Sequence, residues 1–372
     1  MTLQPLIFYA SLFILSALVL KAIKHSRRLP PSPWALPIVG HLHLLGPSLH
    51  HSFHKLSTRY GPLMSIRIGS VLGVVTSSPD VTKELLKTND VTFAARNSSA
   101  AIECLTYNSS FAFAPNGPYW QFMKKLTTVE LLGSRTLLQF LPIRTNELHE
   151  LIRFLFEKSK SGGSDFLTAG TDTSSMTVEW ALAELINHPM VLQKAQQEID
   201  QVVGRNRLVQ ESDVPHLPYI QVIIKESFRI HPPIPLLNRR ALEDCKIGNY
   251  IIPKGTLLFV NLWSMGRDPE TWKNPLEFQP ERFLSESNSE IDVRGLHYRL
   301  LPFGTGRRGC PGLSLAMQEL PTTLAAMIQC FNFKVTSPDG VVDMSERPGL
   351  SSPRAQDLVC VPVARCAPSI VN

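Results

Sequence analysis

The chain has 372 residues, of which 44% are hydrophobic and 18% charged, so it can bury one large core or two smaller ones. The net charge of +6 is spread along the chain without a long basic run beyond the N-terminal region, which argues against nucleic acid as a partner. The six cysteines contain no Cys-x-x-Cys pair, which argues against a zinc ribbon and gives no disulfide framework.

The N-terminal residues have the pattern of a membrane anchor. Residues 1–20 carry no charged side chain and can just cross a bilayer. The basic cluster within 21–28 follows directly, which by the positive-inside rule keeps the body of the protein in the cytosol. A cleaved signal peptide is the alternative, but there the basic residues would precede the apolar run. We predict a transmembrane anchor over 1–23 and a basic, proline-rich hinge over 24–37.

The next part of the chain predicts short helices and one hairpin. Residues 51–60 have a helical pattern, and 63–68 and 71–76 predict two strands joined by a turn at Gly69. The segment 93–118 is rich in alanine, serine and aromatic residues. It could line an apolar pocket, although an ordinary surface loop is the alternative.

Two later helices are of interest. Trp120 and Lys124 are spaced i, i+4 and share a face, which taken alone indicates an aromatic–lysine pair on the surface. Residues 145–157 form an amphipathic pattern and run into a polar, linker-like stretch at 158–164.

A segment rich in small residues follows that stretch. On a helix, one face would carry Phe166, Ala169, Gly170, Thr173 and Thr177. Gly170 would leave space beside the helix, and Thr173 could donate a hydrogen bond there. A close helix contact, with Thr173 bonded back to a carbonyl, explains the same pattern.

The C-terminal half predicts further helices with short strands between and after them. Residues 219–230 form a helix that prolines end, and 247–259 predict a strand pair around the Pro253-Lys254-Gly255 turn. Residues 331–335 and 358–363 predict two late strands.

The most informative stretch is a glycine-rich loop at 303–312 that ends in Cys310 at the start of a predicted helix. The helix dipole and the free N–H groups of a helix N-terminus favour a thiolate. A single thiolate suits haem iron as a ligand. A buried, inert cysteine is one alternative. Dinucleotide binding by the G-x-G-x-x-G spacing is another, but Pro302 interrupts the required strand and no acidic partner follows.

The loop resembles the haem-binding signature F-x-x-G-x-R-x-C-x-G of the cytochrome P-450 monooxygenases, and every fixed position of that signature is matched. The resemblance implies a haem b with Cys310 as the axial iron ligand, O2 as the oxidant, and NADPH electrons delivered through a flavin reductase. Arg308 would hold a haem propionate, and Phe303 would pack beside the sulfur. The predicted cofactor-binding residues of the loop are Phe303, Gly304, Gly306, Arg308, Cys310 and Gly312.

Other positions acquire roles through the same resemblance. Trp120 and Lys124 match a W-x-x-x-R/K pair that grips a propionate, with lysine in place of the commoner arginine. Asp172 and Thr173 match the oxygen-activation motif A/G-G-x-D/E-T, which implies a proton supply and a hydrogen bond to the distal oxygen. Arg240 is the candidate for another propionate contact.

The resemblance also implies a structural triad beneath the haem. Glu226 and Arg229 match the family's E-x-x-R pair, and Arg282 matches the arginine that packs with it. An isolated E-x-x-R pair would otherwise indicate an ordinary solvated ion pair.

Several stretches look like the plant flavonoid-oxidising branch, of the flavone synthase II and flavanone 2-hydroxylase type: 40–46, 105–113, 179–189 and 231–237. The implied reaction is oxidation of a flavanone such as naringenin at C2, leading to a flavone. The implied setting is the endoplasmic reticulum membrane, with a single span and the catalytic body in the cytosol. The implied partners are the flavonoid, the NADPH-dependent reductase and the membrane, without nucleic acid.

The chain departs from this family in one respect. The family places several helices between the Trp120 helix and the Thr173 helix, where this chain has only a short span. We therefore predict a mainly α fold with small β-sheets, an incomplete cytochrome P-450 fold behind a transmembrane helix. Its parts are 38–160, a junction at 161–165, and 166–372. The alternative function is that of an inactive, truncated membrane-bound relative, a splice or gene-model product.

Overall fold

The computed structural model describes Tyr9 and residues 29–97, 100–107, 109–161, 165–166, 173–335, 337 and 339–366. The predicted anchor at 1–23, apart from Tyr9, and the predicted catalytic residue Asp172 lie outside these described residues. Within the described ranges, no helix is both long and apolar enough to span a membrane.

Helices dominate the described chain. The α-helices are α1 (Leu49–Tyr60), α2 (Pro79–Lys83), α3 (Ala100–Thr106), α4 (Pro118–Lys125), α5 (Ser134–Gln139), α6 (Leu141–Ser161), α7 (Thr173–Asn187), α8 (Pro189–Val202), α9 (Pro218–Ile230), α10 (Leu262–Met265) and α11 (Leu313–Cys330). Several begin with a proline in their first turn, where the missing N–H group costs nothing, as in α2, α4, α8 and α9.

The strands form two small sheets and a separate hairpin. The strands are β1 (Leu63–Ile68), β2 (Val71–Thr76), β3 (Asp165–Phe166), β4 (Leu236–Arg240), β5 (Cys245–Ile247), β6 (Tyr250–Ile252), β7 (Leu257–Asn261), β8 (Phe331–Val335) and β9 (Val359–Ala364). The larger sheet has the order β1-β2-β7-β4, the smaller one β3-β9-β8, and β5 pairs with β6. The predicted hairpin and its turn at Gly69, with φ +61°, are confirmed.

Two expectations for the strands were wrong. Residues 247–259 do not form one strand pair, because β6 pairs with β5 while β7 joins β2 and β4 in the larger sheet. Asp165–Phe166 is not helical either, since it pairs antiparallel with β9. Within the described residues, Thr173 belongs to α7, whose bounds are Thr173–Asn187.

The main core lies where α6, α7, α9 and α11 pack together against β8 and β9. Its buried side chains come from both sides of the predicted junction, for example Ile152 of α6 and Leu182 of α7. The two parts of the chain thus share one hydrophobic core instead of folding as separate domains.

The predicted triad is present and fully buried. Arg229 donates from Nε and Nη2 to the two oxygens of Glu226, at 2.8 Å each, and Arg282 donates from Nε to Oε1 at 2.9 Å. The side chains of Glu226 and Arg229 are 0% exposed. Remaining N–H groups of the two arginines donate to carbonyls of the segment 273–277. The triad therefore attaches α9 to the chain that precedes the cysteine loop.

We expect Glu226→Gln to lower the free energy of unfolding by about 3–5 kcal/mol, because it leaves two buried guanidinium groups without a carboxylate. Denaturant unfolding measures this loss. Glu150→Gln is the control, since Glu150 pairs with Arg153 at the surface and its loss should cost less than about 1 kcal/mol. Equal losses in the two variants would contradict a structural role for the triad.

Candidate functional site

The cysteine loop is held in one conformation by its backbone. The amide of Cys310 donates to the carbonyl of Phe303 at 2.8 Å and closes the loop. Gly304 and Gly306 both have φ +65°, a conformation that other residues rarely adopt. A Cβ atom on Gly306 would also lie 2.4 Å from Oδ1 of Asp90, so the Asp90 side chain would have to move to admit it. The glycines are therefore required by the shape of the loop.

The loop presents Cys310 at the surface, directly before α11. Its side chain is exposed, and Gly312 forms the N-cap of the helix. Lys124 of α4 donates to the carbonyl of Gly309 and so ties α4 to the loop. Arg307, by contrast, pairs with Asp90 and is half exposed. The inert, buried cysteine considered above does not fit this exposed position.

A cavity of about 550 Å³ adjoins the loop, which is within the range that small-molecule sites occupy. Many of the predicted site residues line it: Trp120, Thr173, Phe303, Gly304, Arg308, Cys310 and Gly312. Gly306 and Lys124 lie behind this lining, against Asp90 and the carbonyl of Gly309 respectively. Phe111 and Phe113 also line the cavity, so of the two alternatives left open for the segment 93–118, the structure favours the apolar pocket.

Arg308 is positioned by an aromatic ring and two carbonyls. Its guanidinium carbon lies 3.9 Å from the centroid of Trp120, whose Nε1 donates to the carbonyl of Phe111 at 2.9 Å. Nε and Nη2 of Arg308 donate to the carbonyls of Ala94 and Ala114, at 2.7 Å each. Its buried Nη1 has no hydrogen-bond partner among the described residues. One N–H edge of this arginine thus remains available to a ligand.

A second arginine of the cavity was not predicted. Nη1 of Arg96 donates to the carbonyl and to the side chain of Asn238, at 3.0 Å each. Its buried Nε also lacks a described partner. Arg96 follows Ala95, which bridges to β4, and this pairing brings the arginine to the cavity. The sequence contains no local signal for this position.

Arg240, which was predicted to contact a propionate, lies outside the cavity. Side chains alternate between the two faces of β4, so that Leu237 and Arg239 are buried while Arg240 is exposed. The guanidinium of Arg240 lies beside the turn at Gly255. Arg239, one residue earlier, instead lies next to Gly304 and donates to the carbonyl of Arg308 at 3.5 Å.

Arg96, Arg239 and Arg308 form a cationic cluster in which Arg239 and Arg308 are buried and Arg96 is partly buried. Their described hydrogen bonds all go to uncharged oxygens. Burial, and then repulsion from the neighbouring arginines, lowers the pKa of Arg308 to about 10 and that of Arg239 well below its usual value, although Asp90 partly offsets the latter. Burial also lowers the pKa of Arg96. An anion with two carboxylates would relieve this repulsion, so the residues present fit a haem with its propionates.

Helix α7 contributes hydroxyl groups to the cavity. Thr173, Ser174 and Thr177 of α7 line the cavity, and Thr177 donates to the carbonyl of Thr173 at 2.8 Å. The structure therefore brings Thr173 and Cys310 to the same cavity. Gly170 and Asp172, the other residues of the predicted motif, lie outside the described residues.

Comparison with known proteins agrees with this geometry. The cytochrome P450 family model matches the chain over residues 30–165 and 160–361. Cytochrome P450 93B16 of Glycine max is 40% identical over an alignment of 512 residues that covers 98% of this chain and 97% of the relative. Cytochrome P450 93B2 of Gerbera hybrida is 42% identical, with coverage of 97% and 96%. A 2-hydroxyisoflavanone synthase of Glycyrrhiza echinata is 35% identical, with coverage of 93% of each chain.

These matches extend over both the loop that carries Cys310 and the segments that build the cavity around it. The identities exceed the level at which a shared fold and family are certain over such coverage. The chain therefore belongs to the cytochrome P450 family of haem-dependent monooxygenases.

Proposed function

We propose that this protein is a haem-thiolate monooxygenase that oxidises a flavanone at C2 and so leads to a flavone, with Cys310 as the iron ligand. The observation that carries the proposal is the exposed thiol of Cys310 beside a cavity with unpaired buried arginine N–H groups. A haem bound through a thiolate supplies the activation of O2. NADPH would provide the electrons through a flavin reductase.

The residues around the cavity have separate tasks in this proposal. Arg308 and Arg96 bind the haem carboxylates through their unpaired N–H groups, and Arg239 adds positive charge behind them. Trp120 holds Arg308 in position by packing on its guanidinium. Phe303 shields the thiol side of the site and packs edge-on against Phe228, with the ring centroids 5.3 Å apart.

Thr173 is the residue that we assign to proton handling. Its position on the wall of the cavity that Cys310 also lines allows its hydroxyl to hold a hydrogen bond to a group bound there. Asp172 would connect it to a proton supply, an assignment that rests on the sequence alone.

The substrate class rests on the relatives and on the cavity. Their names include 2-hydroxyisoflavanone synthase and 3,9-dihydroxypterocarpan 6A-monooxygenase, so flavonoid-type compounds are the substrates to test first. Phe111, Phe113, Ile234 and Leu237 give the cavity an apolar wall that suits a flat aromatic compound. A 2-hydroxyflavanone is the alternative product.

We further infer an internal deletion between α6 and α7. The two matched parts of the family model, 30–165 and 160–361, meet at the predicted junction, and the alignment of 512 residues far exceeds the 372 of this chain. An apolar groove of about 550 Å³ lies between α6, α7 and α11. Such a groove is what the loss of covering helices would leave, and the alternative of an inactive, truncated relative rests on this inferred loss.

The membrane setting is also a proposal. The charge pattern of residues 1–28 supports a single span in the endoplasmic reticulum membrane with the catalytic body in the cytosol.

The reduced carbon monoxide difference spectrum of the chain in membranes tests the proposal. We expect a thiolate-type Soret shift in the wild type and its loss in Cys310→Ser, because the ligand is removed. Cys104→Ser is the control, since Cys104 is also exposed but does not line the cavity. A wild type without a haem signal would support the inactive relative, and flavanone turnover in membranes with the reductase would follow a positive result.

Haem affinity tests the arginine cluster separately. We expect Arg96→Gln to weaken haem binding by roughly 10-fold or more, because a charge-assisted hydrogen bond contributes about 1.5–3 kcal/mol. Arg240→Gln is the matched control and should leave the affinity unchanged, since Arg240 is exposed outside the cavity. Haem titration followed by absorbance measures both. A loss of haem affinity in Arg240→Gln but not in Arg96→Gln would contradict this expectation and support Arg240 as the propionate contact.

A further inference from the structure

A second cluster of potential ligands lies where the first turn of α1 meets the segment 343–354. It consists of His50, His51 and Glu346, whose ligand atoms all lie within 4.8 Å of one another. Nε2 of His50 lies 2.9 Å from Oε2 of Glu346, and Nε2 of His51 lies 3.4 Å from the same oxygen. None of the three residues lines the cavity beside Cys310, so the cluster is separate from the proposed haem site.

The spacing of these atoms is close to that of a metal site. Tetrahedral zinc binds imidazole nitrogen and carboxylate oxygen at about 2.1 Å, which places neighbouring ligand atoms roughly 3.4 Å apart. The two nitrogen–oxygen distances of 2.9 and 3.4 Å therefore need little adjustment. Two imidazoles and one carboxylate are also a ligand set that zinc commonly takes.

The carboxylate of Glu346 is oriented so that one oxygen faces the histidines. Its Oε1 accepts a hydrogen bond from Nε1 of Trp263 at 2.8 Å and lies 4.0 Å from Arg267. The positive charge of Arg267 therefore acts on Oε1, while Oε2 faces His50 and His51. A β-bridge between Glu346 and Arg354 fixes the backbone at this point. The oxygen is thus positioned before any ion binds.

The two histidines differ in their contact with Glu346 and in their exposure. Nε2 of His50 is hydrogen-bonded to Glu346, and the residue is 1% exposed. Nε2 of His51 is close to the same oxygen without a described hydrogen bond to it, and its side chain is 46% exposed. The site is therefore open to solvent on the His51 side, where an ion could enter and water could complete its coordination.

We propose that His50, His51 and Glu346 bind a divalent transition-metal cation such as Zn²⁺, with water in the remaining position. The bound ion links the first turn of α1 to the segment 343–354, which lies almost 300 residues later in the chain. It stabilises the folded protein by mass action, since the unfolded chain does not hold these ligands together.

Calorimetric titration of the full chain with Zn²⁺ tests the site, and comparison of variants separates it from binding by the free cysteines. We expect His51→Ala to lower the affinity for one equivalent of Zn²⁺ by at least about 10-fold. Even the loss of a residue that only hydrogen-bonds to a metal ligand lowers metal affinity by about this factor. His43→Ala is the control, because His43 is an exposed histidine of the same region outside the cluster. It should keep the wild-type affinity.

Thermal unfolding gives an independent measurement. Zn²⁺ should raise the Tm of the wild type and of His43→Ala, but not that of His51→Ala, while all three unfold alike with a chelator present. Equal Zn²⁺ affinity in the wild type and His51→Ala would overturn the proposal. An equal loss in His43→Ala, or a wild type without Zn²⁺ binding at these residues, would overturn it as well.

Discussion

The buried carboxylate of Glu226 is the interaction on which the arrangement of the site depends. It accepts hydrogen bonds from both Arg229 and Arg282, and both arginines use their other N–H groups to hold the carbonyls of 273–277. This fixes α9, whose Phe228 packs against Phe303 at the start of the cysteine loop. The triad therefore supports the cysteine loop through α9. Removing one partner of such a buried ion pair is strongly destabilising, because the other charge is left unpaired.

The arginines of the cavity differ from those of the triad in their hydrogen-bond partners. The described hydrogen bonds of Arg96, Arg239 and Arg308 reach only uncharged oxygens. Their pKa values are lowered by burial and, for Arg239 and Arg308, by mutual repulsion, so the folded chain carries an electrostatic cost at this place. A dianionic cofactor would remove that cost on binding. The arginines of the triad thus have a carboxylate partner within the protein, whereas those of the cluster would obtain one only from a ligand.

The two matched parts of the family model, 30–165 and 160–361, meet near the end of α6 and before α7. Both helices still contribute to the core that contains α9 and α11, and the cysteine loop and the triad are complete. Beside this core, Ile143 and Phe154 of α6 are exposed along an apolar groove that the core residues Leu182, Leu320 and Met327 also line. This groove adjoins the cavity beside Cys310, since Ser174, Glu319 and Leu320 line both.

The sequence by itself determined the cysteine loop, the Glu226–Arg229 pair and the hairpin of β1 and β2, because each depends on local spacing, whereas Arg282, 56 residues from Glu226, joined the triad only through the family resemblance. Glycines with positive φ, an i, i+3 pair and a turn residue can all be recognised without knowing any distant neighbour. Only the tertiary structure decided that Arg239, and not Arg240, lies on the side of β4 that faces the site. The sequence shows that the two side chains point to opposite faces, but not which face the sheet buries. The same holds for Arg96 and for the pairing of Asp165–Phe166 with β9, since both depend on segments more than 100 residues away.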